Sequence, residues 1–216
     1  LAATGCSSRY EGPLASAIAR FAASTGGLIS EQDLASHRTL EVTPLRGRSP
    51  ASRGLIELPP NGQGLVALLA LEQLLEWEVD TRDPESPEVW HAAIEAIKLA
   101  FRCSRGCIAD PEHVEPLWLN EDWWISQLAL LPDRASVPGD LRAKPGGTVY
   151  LCTADADGLM VSLIQSNYIG FGSGLVVPGT GIALQNRGAC FDPDPQHPNG
   201  VGPGKRPYHT IMPGFL

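Results

Sequence analysis

GGTVYLCTADADG, which spans residues 146–158, places two glycines before an alternating apolar segment that ends at an Asp-Gly pair. This order predicts two β-strands across residues 148–166, joined as a hairpin at residues 155–158. A threonine that opens a strand matters chemically, because its hydroxyl is a weak nucleophile until a base lies beside it. If the chain is cut before Thr148, the new α-amino group, with an ordinary pKa of roughly 7.7–8.0, can be that base.

The residues before this hairpin have the periodicity of helices, and those after it have the pattern of short strands. An order of helices followed by strands predicts an α+β fold, with helical layers packed on an antiparallel sheet. Helices are predicted at 14–21, 64–75 and 88–102, and two shorter helices follow Ser30 and Asn120. The predicted helix caps are Ser30 (with Asp33), Asn61 for 64–75, Ser86 for 88–102, and Asn120. Further short strands are predicted at 41–44, 55–58, 175–177 and 182–184.

The bulk composition narrows the class of protein. A chain of 216 residues with 43% hydrophobic content forms one domain by default, with two possible. A net charge of −8 argues against a nucleic-acid partner, and no apolar run is long enough to cross a bilayer. Five scattered cysteines favour a reducing, cytoplasmic compartment, unless a signal peptide precedes Leu1. Cys103 and Cys107 lack a second ligand pair, so neither a metal nor a cofactor is predicted.

Both ends of the chain are unusual. The sequence starts at Leu1 without a methionine and stops at Leu216 in mid-pattern. We therefore expect a piece of a longer protein.

Several blocks of the sequence resemble, in order, the γ-glutamyltransferase family of N-terminal-nucleophile hydrolases. The resemblance covers nearly the whole chain. Its blocks are GGLISEQDL at 26–34, LPPNGQG at 58–64, HAAIEAIKLAF at 91–101, GFGSG at 170–174, PGTGI at 178–182, QNRG at 185–188 and KRP at 205–207.

The resemblance implies an αββα fold, incomplete here, and a precursor that cleaves itself between Gly147 and Thr148. Residues 1–147 would then end the large subunit, residues 148–216 would begin the small subunit, and the two would pair. Thr148 would attack an amide through an acyl-threonine intermediate that water or an amine takes up. The family's oxyanion-hole glycines should lie beyond Leu216, so this fragment alone is expected to be inactive.

The resemblance also assigns further site residues. Ser166 falls where the family has a second hydroxyl that hydrogen-bonds the nucleophile. Tyr168 falls at its glutamyl-binding asparagine, Cys190 at its amino-group-binding aspartate, and His209-Thr210 at its carboxylate-binding serine pair. A cysteine cannot neutralise an ammonium group, whereas Arg187 could hold a carboxylate in a bidentate fork. We therefore expect an anionic acyl group without an α-amino group, as in the family's amidohydrolase and acylase branch.

Other interpretations stay open. Ser166 could be an ordinary strand-end serine, and Arg187 a structural arginine. The substrate could be a true γ-glutamyl compound such as glutathione. The protein could also be a non-catalytic homologue with a structural or binding role, since residues 102–107 and Trp123-Trp124 depart from the family pattern.

Overall fold

A computed structural model of the chain describes residues 2–80, 82–136 and 148–216. These residues form two compact units, one of Leu1–Glu41 with Asn167–Asn186 and one of Val42–Ser166 with Arg187–Leu216. The described residues combine helices with antiparallel strands, and this mixed character agrees with the α+β prediction.

Five α-helices and six strands follow one another in the described part of the chain. The helices are α1 (Pro13–Ser24), α2 (Glu31–Ser36), α3 (Gly64–Glu76), α4 (Pro87–Ser104) and α5 (Glu121–Gln127). The strands are β1 (Leu45–Arg46), β2 (Ile56–Glu57), β3 (Thr148–Ala154), β4 (Met160–Ser166), β5 (Val176–Val177) and β6 (Ile182–Ala183). They pair as three antiparallel two-stranded sheets, β1 with β2, β3 with β4 and β5 with β6. No helix in the described ranges is long and apolar enough to cross a membrane.

Three of the four predicted helix caps are confirmed. Ser30 forms a capping box with Asp33 at the start of α2. The Ser86 hydroxyl accepts from the backbone N–H of Val89, and Asn120 caps α5. The fourth is wrong: α3 begins at Gly64 with Gln63 at the N-cap position and has no side-chain cap, so Asn61 lies two residues too early to cap it. The Asn61 side-chain N–H instead donates to the carbonyl of Pro207 at 2.6 Å.

The core of the second unit lies between α3 and α4. Leu65 and Leu68 are fully buried in α3, in agreement with the apolar character of nearly all its faces. Small residues on α4 let the two helices approach closely, and Ala96 is fully buried among them. Trp124 closes the cluster, and its indole N–H donates to the carbonyl of Trp118 at 2.7 Å.

The short strands follow the predictions unevenly. The predicted strand at 41–44 is wrong, since the first strand begins at Leu45. The predicted strand at 55–58 is confirmed as β2, and those at 175–177 and 182–184 as β5 and β6. In the first unit, α1 contacts β5, and Val177 is fully buried there.

Glu57 in β2 is a buried acid that should make stability depend on pH. Desolvation raises its pKa to about 7, against the opposing effect of the Leu58 backbone. Its carboxylate lies so close to Gly64 and Gly214 that a Cβ at either would come within 2.7 or 2.8 Å of an oxygen. An acid whose pKa is higher in the folded protein ionises at a lower pH in the unfolded chain, so a rise in pH favours the unfolded state. The free energy of unfolding should therefore fall as pH rises from about 4.5 to about 7.

Glu57→Gln is expected to remove this loss, because the amide cannot ionise. Urea unfolding of the full-length protein at pH 5 and at pH 8 checks this prediction. The free energy of unfolding of the variant, relative to that of the wild type, should be higher at pH 8 than at pH 5. A difference between the two proteins that is the same at both pH values would contradict the assignment.

Candidate active site

The β3–β4 hairpin brings two hydroxyl side chains together that lie 18 residues apart in the sequence. Its register pairs Ala154 with Met160 next to the loop and Thr148 with Ser166 at the open end. Residues directly opposite in antiparallel strands project to the same face, with Cβ atoms about 4.5–5.5 Å apart. The Thr148 hydroxyl donates to the Ser166 hydroxyl oxygen at 3.0 Å.

The hairpin loop fixes this register. The Asp155 carboxylate accepts from the backbone N–H groups of Asp157 and Leu159, at 3.0 and 2.9 Å. Gly158 has a φ of 85°, a left-handed conformation that favours glycine. A slip of one residue would turn Thr148 to the opposite face of the sheet from Ser166. The Asp-rich loop therefore supports the pairing of the two hydroxyls at the far end of the hairpin.

Arg187 is the third member of the cluster. It begins a short 3-10 turn, Arg187–Cys190, and only 4% of its surface is exposed. One terminal nitrogen, Nη2, donates to the Ser166 hydroxyl at 3.0 Å. The other, Nη1, donates to the Thr210 hydroxyl at 2.9 Å and contacts the Cys190 sulfur at 3.9 Å. A continuous chain of hydrogen bonds thus links Thr148, Ser166, Arg187 and Thr210.

A buried guanidinium next to a hydroxyl pair has two chemical consequences. Ser166 accepts from both Thr148 and Arg187, so its oxygen holds the Thr148 side chain in one orientation. The positive charge also favours negative charge nearby, because electrostatic interactions are strong in a poorly hydrated site. The cluster is therefore suited to a hydroxyl nucleophile and to an anionic reactant.

His209 adds a neutral imidazole to the same unit. Burial, together with the positive charge of Arg187, lowers its pKa to about 4. Its backbone N–H donates to the Asn61 carbonyl at 2.9 Å, which fixes the segment that carries Thr210. Within the described ranges, the buried Nδ1 atom has no hydrogen-bond partner. At neutral pH the ring is therefore uncharged, and a polar ligand atom could pair with Nδ1.

Two residues from the sequence analysis lie outside the described part of the second unit. Tyr168 belongs to the first compact unit, where its φ of 76° is unusual for a residue other than glycine. Gly147, named as the residue before the cleaved bond, lies outside the described residues. Thr148, Ser166, Arg187, His209 and Thr210 all belong to the second unit.

Sequence reasoning missed two residues that hold the cluster in place. Asn61 binds the chain around His209, and Asp110 binds Arg206 three residues before it. Asp110 could have been singled out, because an acid directly after the apolar pair Ile108-Ala109 is a candidate for a buried charge. Its partner, Arg206, could not be inferred from the sequence alone.

No group of three or more His, Cys, Asp or Glu side chains among the described residues could hold a metal ion. Cys107 is a buried thiol, and burial followed by the neighbouring Cys103 raises its pKa to about 12.

The fold agrees with comparisons to known proteins. The structure is similar to the crystal structure of cephalosporin acylase from Bacillus halodurans, with a TM-score of 0.83 and 44% identity over 97% of this chain. The fold of this chain is therefore similar to that of the corresponding part of the acylase. The gamma-glutamyltranspeptidase family model matches residues 1–216, and the chain belongs to that family.

Two curated relatives are also similar over the whole chain. The oxamate amidohydrolase proenzyme of Klebsiella pneumoniae is 38% identical over 99% of this chain. The glutathione hydrolase-like YwrD proenzyme of Bacillus subtilis is 35% identical over 100% of it. The chain spans 40% and 41% of the length of these relatives, and 38% of the acylase chain.

Proposed function

We propose that the full-length protein is an amide hydrolase or acyltransferase whose nucleophile is Thr148, freed by cleavage of the bond to Gly147. The observation that carries the proposal is the hydrogen bond from the Thr148 hydroxyl to Ser166, next to buried Arg187. Family membership supports it, as does the word proenzyme in the names of both relatives. The pieces before and after the cut would remain paired as two subunits.

The proposed reaction proceeds in two halves. The Thr148 Oγ forms a bond to the amide carbonyl carbon, and the α-amino group takes its proton and passes it to the leaving nitrogen. The C–N bond breaks, which leaves an ester on Thr148. Water or an amine then attacks this ester, the product carries away the acyl group, and the proton returns to the Thr148 oxygen. Donors for the oxyanion are expected from chain beyond Leu216.

The acyl group that we propose carries a carboxylate and no α-amino group. Arg187 supplies a buried positive charge next to Ser166, while Cys190 has no charge with which to pair an ammonium group. Neutral His209 and Thr210 would complete the pocket with hydrogen bonds. Oxamate, the substrate in the name of one relative, is a carboxylate-bearing amide of this kind.

We further propose that the hairpin lies inside an αββα sandwich in the full-length protein. Val149, Tyr150 and Leu163 are 63%, 49% and 50% exposed on β3 and β4. Large apolar surfaces of this kind are normally covered by another layer of structure. The remaining length of the relatives is sufficient to supply that layer.

A comparison of oxamate with oxamide tests the proposed function. The two amides have nearly the same size, but only oxamate carries a carboxylate. The full-length protein should hydrolyse oxamate with a kcat/KM about 10-fold or more above that for oxamide, measured as ammonia release. Glutathione, which carries an α-amino group on its acyl part, should be the poorer substrate. Preference for glutathione would favour a γ-glutamyl enzyme, and no hydrolysis of any of the three would support a non-catalytic homologue.

A further inference from the structure

An ion pair between buried Asp110 and partly exposed Arg206 lies outside the hydroxyl cluster and has no part in the reaction proposed above. Asp110 is 1% exposed, and its carboxylate accepts three hydrogen bonds from Arg206. Two come from the side chain, Nη2 to Oδ1 at 2.7 Å and Nε to Oδ2 at 3.1 Å. The third comes from the backbone N–H of Arg206 to Oδ2 at 2.8 Å. The side chain and the backbone of one residue are therefore both fixed by a single acid.

The charges of the pair depend on each other. Burial alone would raise the pKa of Asp110, but the hydrogen bonds from Arg206 outweigh it and hold the pKa at about 2. Removal of the Asp110 carboxylate would leave the guanidinium and the backbone N–H of Arg206, whose side chain is 38% exposed, without the acceptor that holds them in place. Glu112, 3.9 Å from Arg206 and 69% exposed, is too distant and too hydrated to replace Asp110. Asp110 is therefore the acid that keeps Arg206 in place.

Arg206 starts the segment that carries the substrate-side residues. Pro207 accepts from Asn61, and the N–H of His209 donates back to the carbonyl of Asn61. Thr210 follows and accepts from Arg187, which in turn donates to Ser166. Asp110 thus holds the start of the short segment before Thr210, and Asn61 holds its end. Both Asp110 and Asn61 lie in the part of the chain before the proposed cut, whereas the segment lies after it.

We propose that Asp110 is a positioning residue: through Arg206 it sets His209 and Thr210 against Arg187, and so determines how the anionic acyl group is bound. The inference rests on the proposed function. If the segment shifts when the ion pair is lost, Thr210 can no longer orient the guanidinium. Small displacements of binding groups have large effects on rates, because the reacting atoms must be aligned.

Glu95 offers a matched control within the same unit. It is also 1% exposed and forms a buried ion pair, with Lys98 at 2.6 Å. Burial raises its pKa, but the hydrogen bonds from Lys98 and Ser136 bring it down to about 2. These partners lie in the chain before Thr148. Glu95→Gln therefore reports the general cost of breaking a buried ion pair in this unit, without a direct effect on the segment after Arg206.

The test compares Asp110→Asn with Glu95→Gln in the full-length protein, with oxamate and oxamide as substrates. In Asp110→Asn, KM for oxamate should rise about 10-fold or more, kcat should fall less than about 3-fold, and the preference for oxamate over oxamide should shrink. Glu95→Gln should lower the unfolding midpoint but keep the preference. Asp110→Glu, which restores the charge, should recover part of the preference.

Thermal unfolding establishes whether each variant is folded. If Asp110→Asn does not fold, Arg206→Lys provides a milder change to the same ion pair. Lysine keeps the charge but loses the fork, so an intermediate rise in KM is expected. An unchanged KM in a folded Asp110→Asn protein, or equal losses for both amides, would overturn the inference while leaving the proposed function intact. A wild-type protein that hydrolyses neither amide would overturn both.

Discussion

Thr148→Ala in the full-length protein should reduce amide hydrolysis by a factor on the order of 10⁴–10⁶, the scale seen when a nucleophile is removed. The methyl side chain cannot form the acyl ester, and the hydroxyl that donates to Ser166 is lost. The fold should be retained, since Thr148 is exposed at the edge of the described hairpin. Ammonia release from oxamate and thermal unfolding, measured on the same preparation, check both parts of the prediction.

Thr148→Ser is the matched control, because it keeps a hydroxyl at the same place in the register. It should retain a measurable part of the activity, whereas Ser166→Ala should weaken but not abolish it. Comparable activity in wild type and Thr148→Ala would show that another group attacks the amide.

Arg187→Ala should have the second largest effect, because a buried charge with three polar contacts is lost at once. We expect kcat/KM for oxamate to fall about 100-fold, the scale for truncating one member of a buried charged pair. The fall for oxamide should be smaller, since it reflects only the loss of orientation of Ser166 and Thr210. Steady-state kinetics with the two amides separate these contributions.

Arg187→Lys distinguishes charge from geometry. Lysine keeps the positive charge but cannot hold two hydroxyls with a planar fork. It should retain part of the preference for oxamate while losing rate on both amides. If Arg187→Ala leaves the preference for oxamate unchanged, the acyl group is not recognised by this charge and the pocket assignment is wrong.

The features predicted best from the sequence are those fixed by neighbouring residues. The caps at Ser30, Ser86 and Asn120 satisfy backbone groups within their own helices, so local sequence was sufficient to find them. The hairpin was visible for the same reason: its loop, residues 155–159, includes the predicted connection at 155–158 and is stabilised by Asp155.

The features that sequence could not provide depend on distant contacts. Asn61 donates to the carbonyl of Pro207, 146 residues away, and nothing near Asn61 in the sequence indicates that partner. The pairing of Asp110 with Arg206, 96 residues apart, is likewise determined by the packing of the whole unit. Arg187 was identified by its charge and by resemblance, but its contacts with Ser166 and Thr210 required the structure.

The central claim is that Thr148 cleaves the chain and then acts as its nucleophile. Intact-mass analysis of the full-length wild-type protein and of Thr148→Ala tests it most directly. The account predicts two pieces in the wild type, the smaller beginning at Thr148, and a single uncut chain in the variant. An uncut chain in both proteins, or a cut at another bond, would contradict it.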